Sequence, residues 1–188
     1  LVPSQKCENQ LNEGFNFTFA GNIGKMQNLE NVLLAFKEAD AGKSVYFNVF
    51  GDGSSFDAIK TLVDKEDIKN VIFWGRKKMI DMPPFLASSD VLVLSLIDEP
   101  IYHLTIPSKF QTYLNFSKPI FAVIKGEVAN IVNQNHLGLV ADPKSVQDIA
   151  KGFREFLEST QIELSRYSTN SIRLLNEEFS RDVAISRI

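Results

Sequence analysis

Cysteine is all but absent: Cys7 is the only one in 188 residues. No intramolecular disulfide and no cysteine-based metal cluster can form from it. Histidine is nearly as scarce, with His103 and His136 far apart in sequence, so a zinc site is not expected. Long hydrophobic runs are missing too, since no segment approaches the roughly 18 apolar residues of a membrane helix. The first residues, LVPSQKCENQ, are polar and carry no apolar core of a secretory signal. Nor is there a surplus of positive charge. The 20 Lys and Arg against 23 Asp and Glu leave a net charge of −3, which argues against a nucleic-acid partner, because backbone binding wants a basic face. These absences point to a cytoplasmic protein. The chain opens on Leu1 rather than methionine, and is expected to be a fragment or a processed piece.

What is present is ordinary in bulk and informative in order. A hydrophobic content of 44% with 23% charged residues suits a globular domain, and this length can bury a sizeable core. Apolar strands alternate with helical segments along the chain. Phe15–Ala20, Ser44–Phe50, Val71–Trp74, Val91–Leu96, Pro119–Ile124 and Gly138–Ala141 read as strands. Helices are expected near Gln27–Asp40, from Ser54 or Ser55 through Val63, over Met82–Ser88, Lys109–Ser117, Val128–Asn133 and Ser145–Glu158. In the first of these, Leu29, Val32, Leu33 and Phe36 have the i, i+3, i+4, i+7 spacing of one buried face. The segment 163–188 is also helical in pattern, with Ile172, Leu175 and Phe179 on its expected inner face.

Nearly unbroken apolar strands separated by helices mean a parallel sheet covered on both faces. The fold class is therefore α/β: a single Rossmann-like, doubly wound domain with a six-stranded parallel sheet, order 3-2-1-4-5-6, and a C-terminal helical tail. The expected division is a linker at 1–14, the nucleotide-binding domain at 15–160 and the tail at 161–188. In this order the sheet reverses between strands one and four, and ligands bind outside the strand carboxyl ends at that reversal.

The loops that meet there can be taken in turn. After strand one come Gly21, Asn22, Gly24 and Lys25; the glycines permit close ligand approach or simply serve a turn. This is not the dinucleotide fingerprint, since the spacing differs. Gly51-Asp52-Gly53 can hold a ribose, although turn chemistry alone accounts for it. Gly75-Arg76-Lys77 ends strand three with a local cation cluster of the kind that is usually a solvated face. After strand four, Thr105-Ile106-Pro107-Ser108-Lys109 leads into a helix. Thr105 is expected to cap it and Pro107 to occupy its first turn. The amides of Ser108 and Lys109, a hydroxyl and a solvent-side ammonium then converge into an anion site. Plain helix capping explains the segment equally well in isolation. What favours phosphate binding is that this loop and the Gly21–Gly24 loop face each other across the reversal. Phe110, Tyr113 and Leu114 read as the core face of the helix.

Taken together, GNIGKMQNLENVLLAF, VFGDGSSF, NVIFWGR, SSDVLVLSL, IPSKFQTYLNFSKPIFA and KGEVANIV resemble the carboxyl-terminal half of a family-4-like glycosyltransferase with two Rossmann domains (the GT-B fold), in its bacterial surface-polysaccharide branch. The resemblance runs from Phe15 through nearly all of the chain. It implies a nucleotide-sugar donor site, a UDP-sugar foremost, with no cofactor and no metal. It also implies an amino-terminal acceptor domain that is absent here, through which any peripheral membrane contact would run. Carried over by position, Gly21, Asn22 and Gly24 border the diphosphate and sugar. Gly51, Asp52, Gly53, Gly75, Arg76 and Lys77 wall the nucleoside, and Thr105, Ser108 and Lys109 hold the diphosphate. Lys109 is then the one candidate for a catalytic role, stabilising the departing diphosphate. The chain departs from the family pattern at three places. The ribose-gripping glutamate falls on Thr112, its paired acidic partner on Leu104, and the usual arginine and lysine after strand one on Asn22 and Gln27, leaving Lys25 as a partial substitute. Two other readings stand beside this one. A nucleotide-sugar epimerase would draw on Glu99, His103 and Glu127, which show no telling spacing, and a non-catalytic nucleotide-binding module would need none of them. A phosphorylation receiver would need acidic residues at the end of strand one, where Phe19-Ala20-Gly21 offers none.

Overall fold

A computed structural model of the chain describes residues 11–39 and 42–178. Six strands, β1 (Phe15–Ala20), β2 (Val45–Phe50), β3 (Val71–Gly75), β4 (Val91–Ser95), β5 (Ile120–Val123) and β6 (Gly138–Ala141), form one sheet in the order β3-β2-β1-β4-β5-β6. Every neighbouring pair is parallel. The expected order is therefore observed, and the reversal lies between β1 and β4.

The helices are α1 (Leu29–Glu38), α2 (Phe56–Lys65), α3 (Pro83–Ser88), α4 (Pro100–His103), α5 (Ser108–Asn115), α6 (Glu127–Gln134), α7 (Val146–Glu158) and α8 (Gln161–Glu178). Alternate strand residues feed two cores. On one face Phe17, Phe47 and Phe121 pack with Phe36 of α1 and with Phe153 and Phe156 of α7. These rings meet mostly edge to face; Phe17 and Phe153 have centroids 4.8 Å apart at 90°, a favoured aromatic arrangement. On the other face Leu92, Leu94, Ile120 and Ala122 pack under Phe110, Tyr113 and Leu114 of α5 and Val128 and Val132 of α6. The start of α7 is fixed by Ser145, whose hydroxyl accepts from the Asp148 amide at 3.1 Å, one of the orphan donors of a helix N-terminus.

Three elements differ from the sequence expectation. The expected loop between β4 and α5 contains the extra helix α4, begun by Pro100. The helix after it starts at Ser108 with Pro107 in the cap position and no side-chain cap bond. Thr105 is exposed, and its hydroxyl turns back to the Tyr102 carbonyl at 3.4 Å, so it does not cap that helix. In α8 the inner face carries Leu164, Ser171 and Leu174, all buried, while Ile172 is 49% exposed. That helix packs on α5, and the stripe that fits there is set by α5 rather than by the largest apolar residues. The expected inner residue Phe179 lies outside the described residues, as do most of the expected linker and the end of the tail. No helix among the described residues is long and apolar enough to cross a membrane.

Candidate functional site

β1 and β4 are paired only at Phe17–Val91 and Thr18–Leu92. Beyond that register the two strands part, and a cleft of about 860 Å³ opens over their carboxyl ends. The backbone groups freed by the parting are not left bare. The Ala20 amide donates to the Tyr113 hydroxyl at 3.0 Å, and that hydroxyl lies 3.3 Å from the Val93 carbonyl. Tyr113, read from the sequence as a core residue, is thus also the bracket that spans the reversal. Its burial pushes the phenol well above its usual pKa, so it stays a neutral hydrogen-bonding group.

The loops beyond the strands continue the sheet's pairing as a row of backbone bonds. Gly21 donates to the Phe50 carbonyl, Ile23 to Asp52, Ser55 to Ile23 and Gly51 to Gly75, each at 2.9 Å. On the other side Ile97 donates to the Met26 carbonyl at 2.9 Å, and the Ser95 hydroxyl bonds the Gln27 carbonyl. Close approach explains the glycines at the centre. Gly21 and Gly51 have φ of 147° and 134°, a region that favours glycine. A Cβ on Gly51 would run into the Gly21 carbonyl, and one on Gly21 would meet the Lys109 Nζ at 2.8 Å.

Lys109 is the central finding. It was expected as a solvent-side ammonium, but its side chain folds inward over β1. Nζ stands 3.7 Å from the Phe19 ring centroid, a cation–π distance, and against Gly21. Among the described residues no carboxylate lies within 4.0 Å of it. Burial without a counter-charge pushes the ammonium down from the ordinary lysine value to about 7. Beside it the Ser108 and Lys109 amides at the start of α5 donate to no backbone carbonyl among the described residues.

The cleft is lined by Gly21, Asn22, Gly51, Asp52, Gly53, Arg76, Lys77, Ser108, Lys109 and Thr112 from the expected set. Gly24, Lys25, Gly75 and Thr105 stand outside its lining. The Gly24 amide is used by the Gln27 side-chain oxygen at 2.9 Å, and Lys25 is exposed on a short 3-10 turn. Thr112 gives its hydroxyl to the Ser108 carbonyl one turn earlier at 3.1 Å. Lys77 lies 6.0 Å over the Trp74 ring and 5.9 Å over that of Phe85. Gln27, which the resemblance set at the position of the usual clamp lysine, lines the cleft, whereas sequence reasoning did not foresee the apolar floor of Phe50, Met82, Leu86 and Leu94.

A charged cluster also went unseen, because its members come from three loops. Asp98, 10% exposed at its side chain, takes Lys144 at 2.9 Å, Lys125 at 3.0 Å and His103 at 2.7 Å, and Lys125 also reaches Asp142 at 3.1 Å. Lys144 foremost, then Lys125 and His103, hold the Asp98 carboxyl well below the usual range. The strand order alone places these loops side by side, after β4, β5 and β6. Neither His103 nor Glu99 or Glu127 lines the cleft, so nothing in the geometry favours the epimerase reading. Among the described residues no group of three or more His, Cys, Asp or Glu is placed to hold a metal ion.

A doubly wound parallel sheet with its reversal between β1 and β4, where Lys109, the helix-start amides and a glycine-lined backbone meet, is a domain of the Rossmann class. The family profile described as glycosyl transferases group 1 matches residues 4–173, and the chain belongs to that family. It is 26% identical over 173 residues to the probable glycosyltransferase WbjE of Pseudomonas aeruginosa, covering 91% of this chain and 42% of that protein. It is 24% identical over 153 residues to the uncharacterized glycosyltransferase MJ1178 of Methanocaldococcus jannaschii, covering 80% of this chain and 41% of that one. The chain thus spans less than half the length of these relatives. Among solved structures, Anabaena HepE with UDP and glucose superposes with a TM-score of 0.75 at 16% identity, over 93% of this chain and 48% of that one. The C-terminal domain of a group 1 family glycosyl transferase (LpcC) from Francisella tularensis gives 0.72 at 17% identity, over 90% of this chain and 88% of that domain. The fold is therefore that of the carboxyl-terminal domain of a GT-B glycosyltransferase, as the sequence motifs implied.

Proposed function

We propose that this chain is the donor-binding half of a glycosyltransferase that takes a nucleoside diphosphate sugar, a UDP-sugar foremost, and serves cell-surface polysaccharide synthesis on the cytoplasmic side. The observation that carries the reading is Lys109, unpaired by any carboxylate of the described chain and set beside free α5 amides at the sheet reversal. HepE, which shares the fold, was solved with UDP and with UDP-glucose, and WaaG, another of that fold, acts in lipopolysaccharide biosynthesis.

In the transfer, the bond from the sugar's anomeric carbon to the diphosphate oxygen breaks and its electron pair stays on that oxygen. An acceptor hydroxyl bonds the carbon and loses its proton. The charge that develops on the leaving diphosphate is met by the Lys109 ammonium and the α5 amides, fixed donors that need not reorganise. Neither a cofactor nor a metal is required in this scheme. The acceptor and any base that takes its proton belong to an amino-terminal partner domain.

Half a cleft binds weakly, so calorimetric titration of this chain with UDP, GDP and their sugars should give a Kd of about 10 μM to 1 mM, roughly −4 to −7 kcal/mol. Lys109→Ala removes a charge-assisted contact of about 1.5–3 kcal/mol, a tenfold to hundredfold loss for the diphosphate but not for bare uridine. Lys43, exposed at the opposite edge of the sheet, is the control. No binding at millimolar nucleotide, or equal weakening by Lys109→Ala and Lys43→Ala, refutes the reading.

A further inference from the structure

The cleft has a direction. Lys109 and the start of α5 mark one end, over β1 and β4. From there the lining continues through the loops after β2 and β3 and takes in no residue from the loops after β5 and β6. A ligand whose diphosphate sits at Lys109 therefore extends toward β3. At that far end Phe50, Met79 and Met82 offer apolar surface, which suits a flat base better than a hydroxyl-rich sugar. The order β3-β2-β1 then leaves the end of β2 for whatever joins the diphosphate to the base, one interstrand step of about 4.8 Å from β1. In a nucleotide the joining group is ribose.

Asp52 stands at that place. Among the described residues it brings the one carboxylate that lines the cleft. Its backbone is held on both sides: the Asp52 carbonyl accepts from the Ile23 amide, and the neighbouring Gly51 amide donates to the Gly75 carbonyl, each at 2.9 Å. One carboxylate oxygen accepts from the Gly53 amide at 2.8 Å, which orients the group. Among the described residues the second oxygen accepts no hydrogen bond, and no Lys or Arg nitrogen lies within 4.0 Å of the carboxylate. A carboxylate repels a diphosphate at short range, so its presence in this cleft fits only a neutral, proton-donating part of the ligand. The vicinal hydroxyls of ribose are such a part, and hydrogen bonds to an ionised acceptor are among the stronger ones. The rival for them is Thr112, whose hydroxyl already gives its proton to the Ser108 carbonyl at 3.1 Å and offers no charge.

Resting on the donor reading, we infer that Asp52 accepts hydrogen bonds from the ribose hydroxyls of the bound nucleotide and makes the site select ribonucleotides over 2′-deoxyribonucleotides. Asp52 is a specificity residue in this role and takes no part in the bond that breaks.

The probes are UDP and 2′-deoxy-UDP, which differ by one oxygen and carry no transferred sugar, titrated into the protein and followed by heteronuclear NMR. The parent should bind UDP about tenfold more tightly or better, since one hydrogen bond to a charged acceptor is at stake. Asp52→Asn keeps an oxygen for the Gly53 amide but replaces the other with an NH₂ group that cannot accept. Its UDP affinity should fall to that of 2′-deoxy-UDP for the parent, and the ratio between the two ligands should close to about 1. Because the two ligands are compared on the same protein, a general weakening caused by the substitution cancels. Thr112→Val should keep the parent's ratio. Equal binding of the two ligands by the parent overturns the inference and leaves the donor reading standing. A preference that survives in Asp52→Asn does the same: if Thr112→Val loses it, the ribose belongs to Thr112, and if Asp52→Asn instead loses the parent's gain of UDP-glucose over UDP, the carboxylate faces the transferred sugar. Failure of every nucleotide and nucleotide sugar to bind overturns the donor reading and the inference with it.

Discussion

Tyr113→Phe removes a single oxygen from the place where the sheet divides. The ring is 1% exposed and packs in the core under α5, so phenylalanine fills the same space without strain. What is lost is the acceptor for the Ala20 amide at 3.0 Å and the bond toward Val93 at 3.3 Å. β1 and β4 have parted by that point, having paired last at Thr18–Leu92. No strand is therefore placed to take over the Ala20 amide. A buried donor left without a partner costs about 1–3 kcal/mol. For a domain of this size each kcal/mol lowers Tm by roughly 2–4 °C, so a fall of roughly 2–12 °C is expected. Urea unfolding followed by circular dichroism measures the same quantity, and the m-value should not change, because the exposed surface is the same in both proteins. A loss below about 0.5 kcal/mol would refute the reasoning: it would mean that water reaches the Ala20 amide and that Tyr113 does not bracket the reversal.

Two further outcomes follow from the loops around the cleft. Gly51→Ala places a Cβ against the Gly21 carbonyl at a φ of 134°, and should destabilise by about 1–3 kcal/mol and abolish nucleotide binding; a thermal melt equal to that of the parent would show that the two loops separate freely. Asp98→Asn tests the cluster that ties α4 to the loops after β5 and β6. The folded Asp98 carboxyl is held below its unfolded value, so its contribution is complete above about pH 5 and fades as pH falls toward the folded pKa. The stability gap between parent and variant should accordingly be widest at neutral pH and close on acidification, whereas a gap independent of pH would mean that the carboxylate charge is not what the cluster uses.

The sheet was legible because both of its faces are covered. A strand such as Val91–Ser95, buried at every position, cannot alternate, and its continuous apolar run identifies it as an interior parallel strand. The strand order followed from length and alternation, and it brought the right loops together. Helix faces were less legible where packing, not hydrophobicity, decides. Ser171 of α8 is fully buried while Ile172 is half exposed, because the contact with α5 selects a stripe rather than a composition. Helix α4 has only four residues, too few for any periodicity to show. The Asp98 cluster draws on residues 98, 103, 125, 142 and 144, which no linear motif joins. At the site, the identity of Lys109 was readable from its place at a helix start. Its inward course was not, since that depends on Gly21 presenting bare backbone across from it.

The spacing of the sheet explains why so much falls on one lysine. Cations line the cleft at two places, Lys109 of α5 over β1 and the pair Arg76 and Lys77 beyond β3. In the order β3-β2-β1, two interstrand steps of about 4.8 Å put the β3 and β1 ends roughly 10 Å apart. Such a span suits an extended nucleotide, with its phosphates at one end and its base at the other. Around the phosphates, then, the loop after β1 offers Asn22 and Gln27, which donate hydrogen bonds but carry no charge, and the α5 start offers a partial dipole charge of about one half. Among the described residues Lys109 is the full charge set at that end of the cleft. A single ammonium set at the phosphate end meets the diphosphate and not the base, so a bare nucleoside gains nothing from it. That selectivity for the charged end of the donor is what Lys109→Ala resolves when its loss for the diphosphate is set against bare uridine.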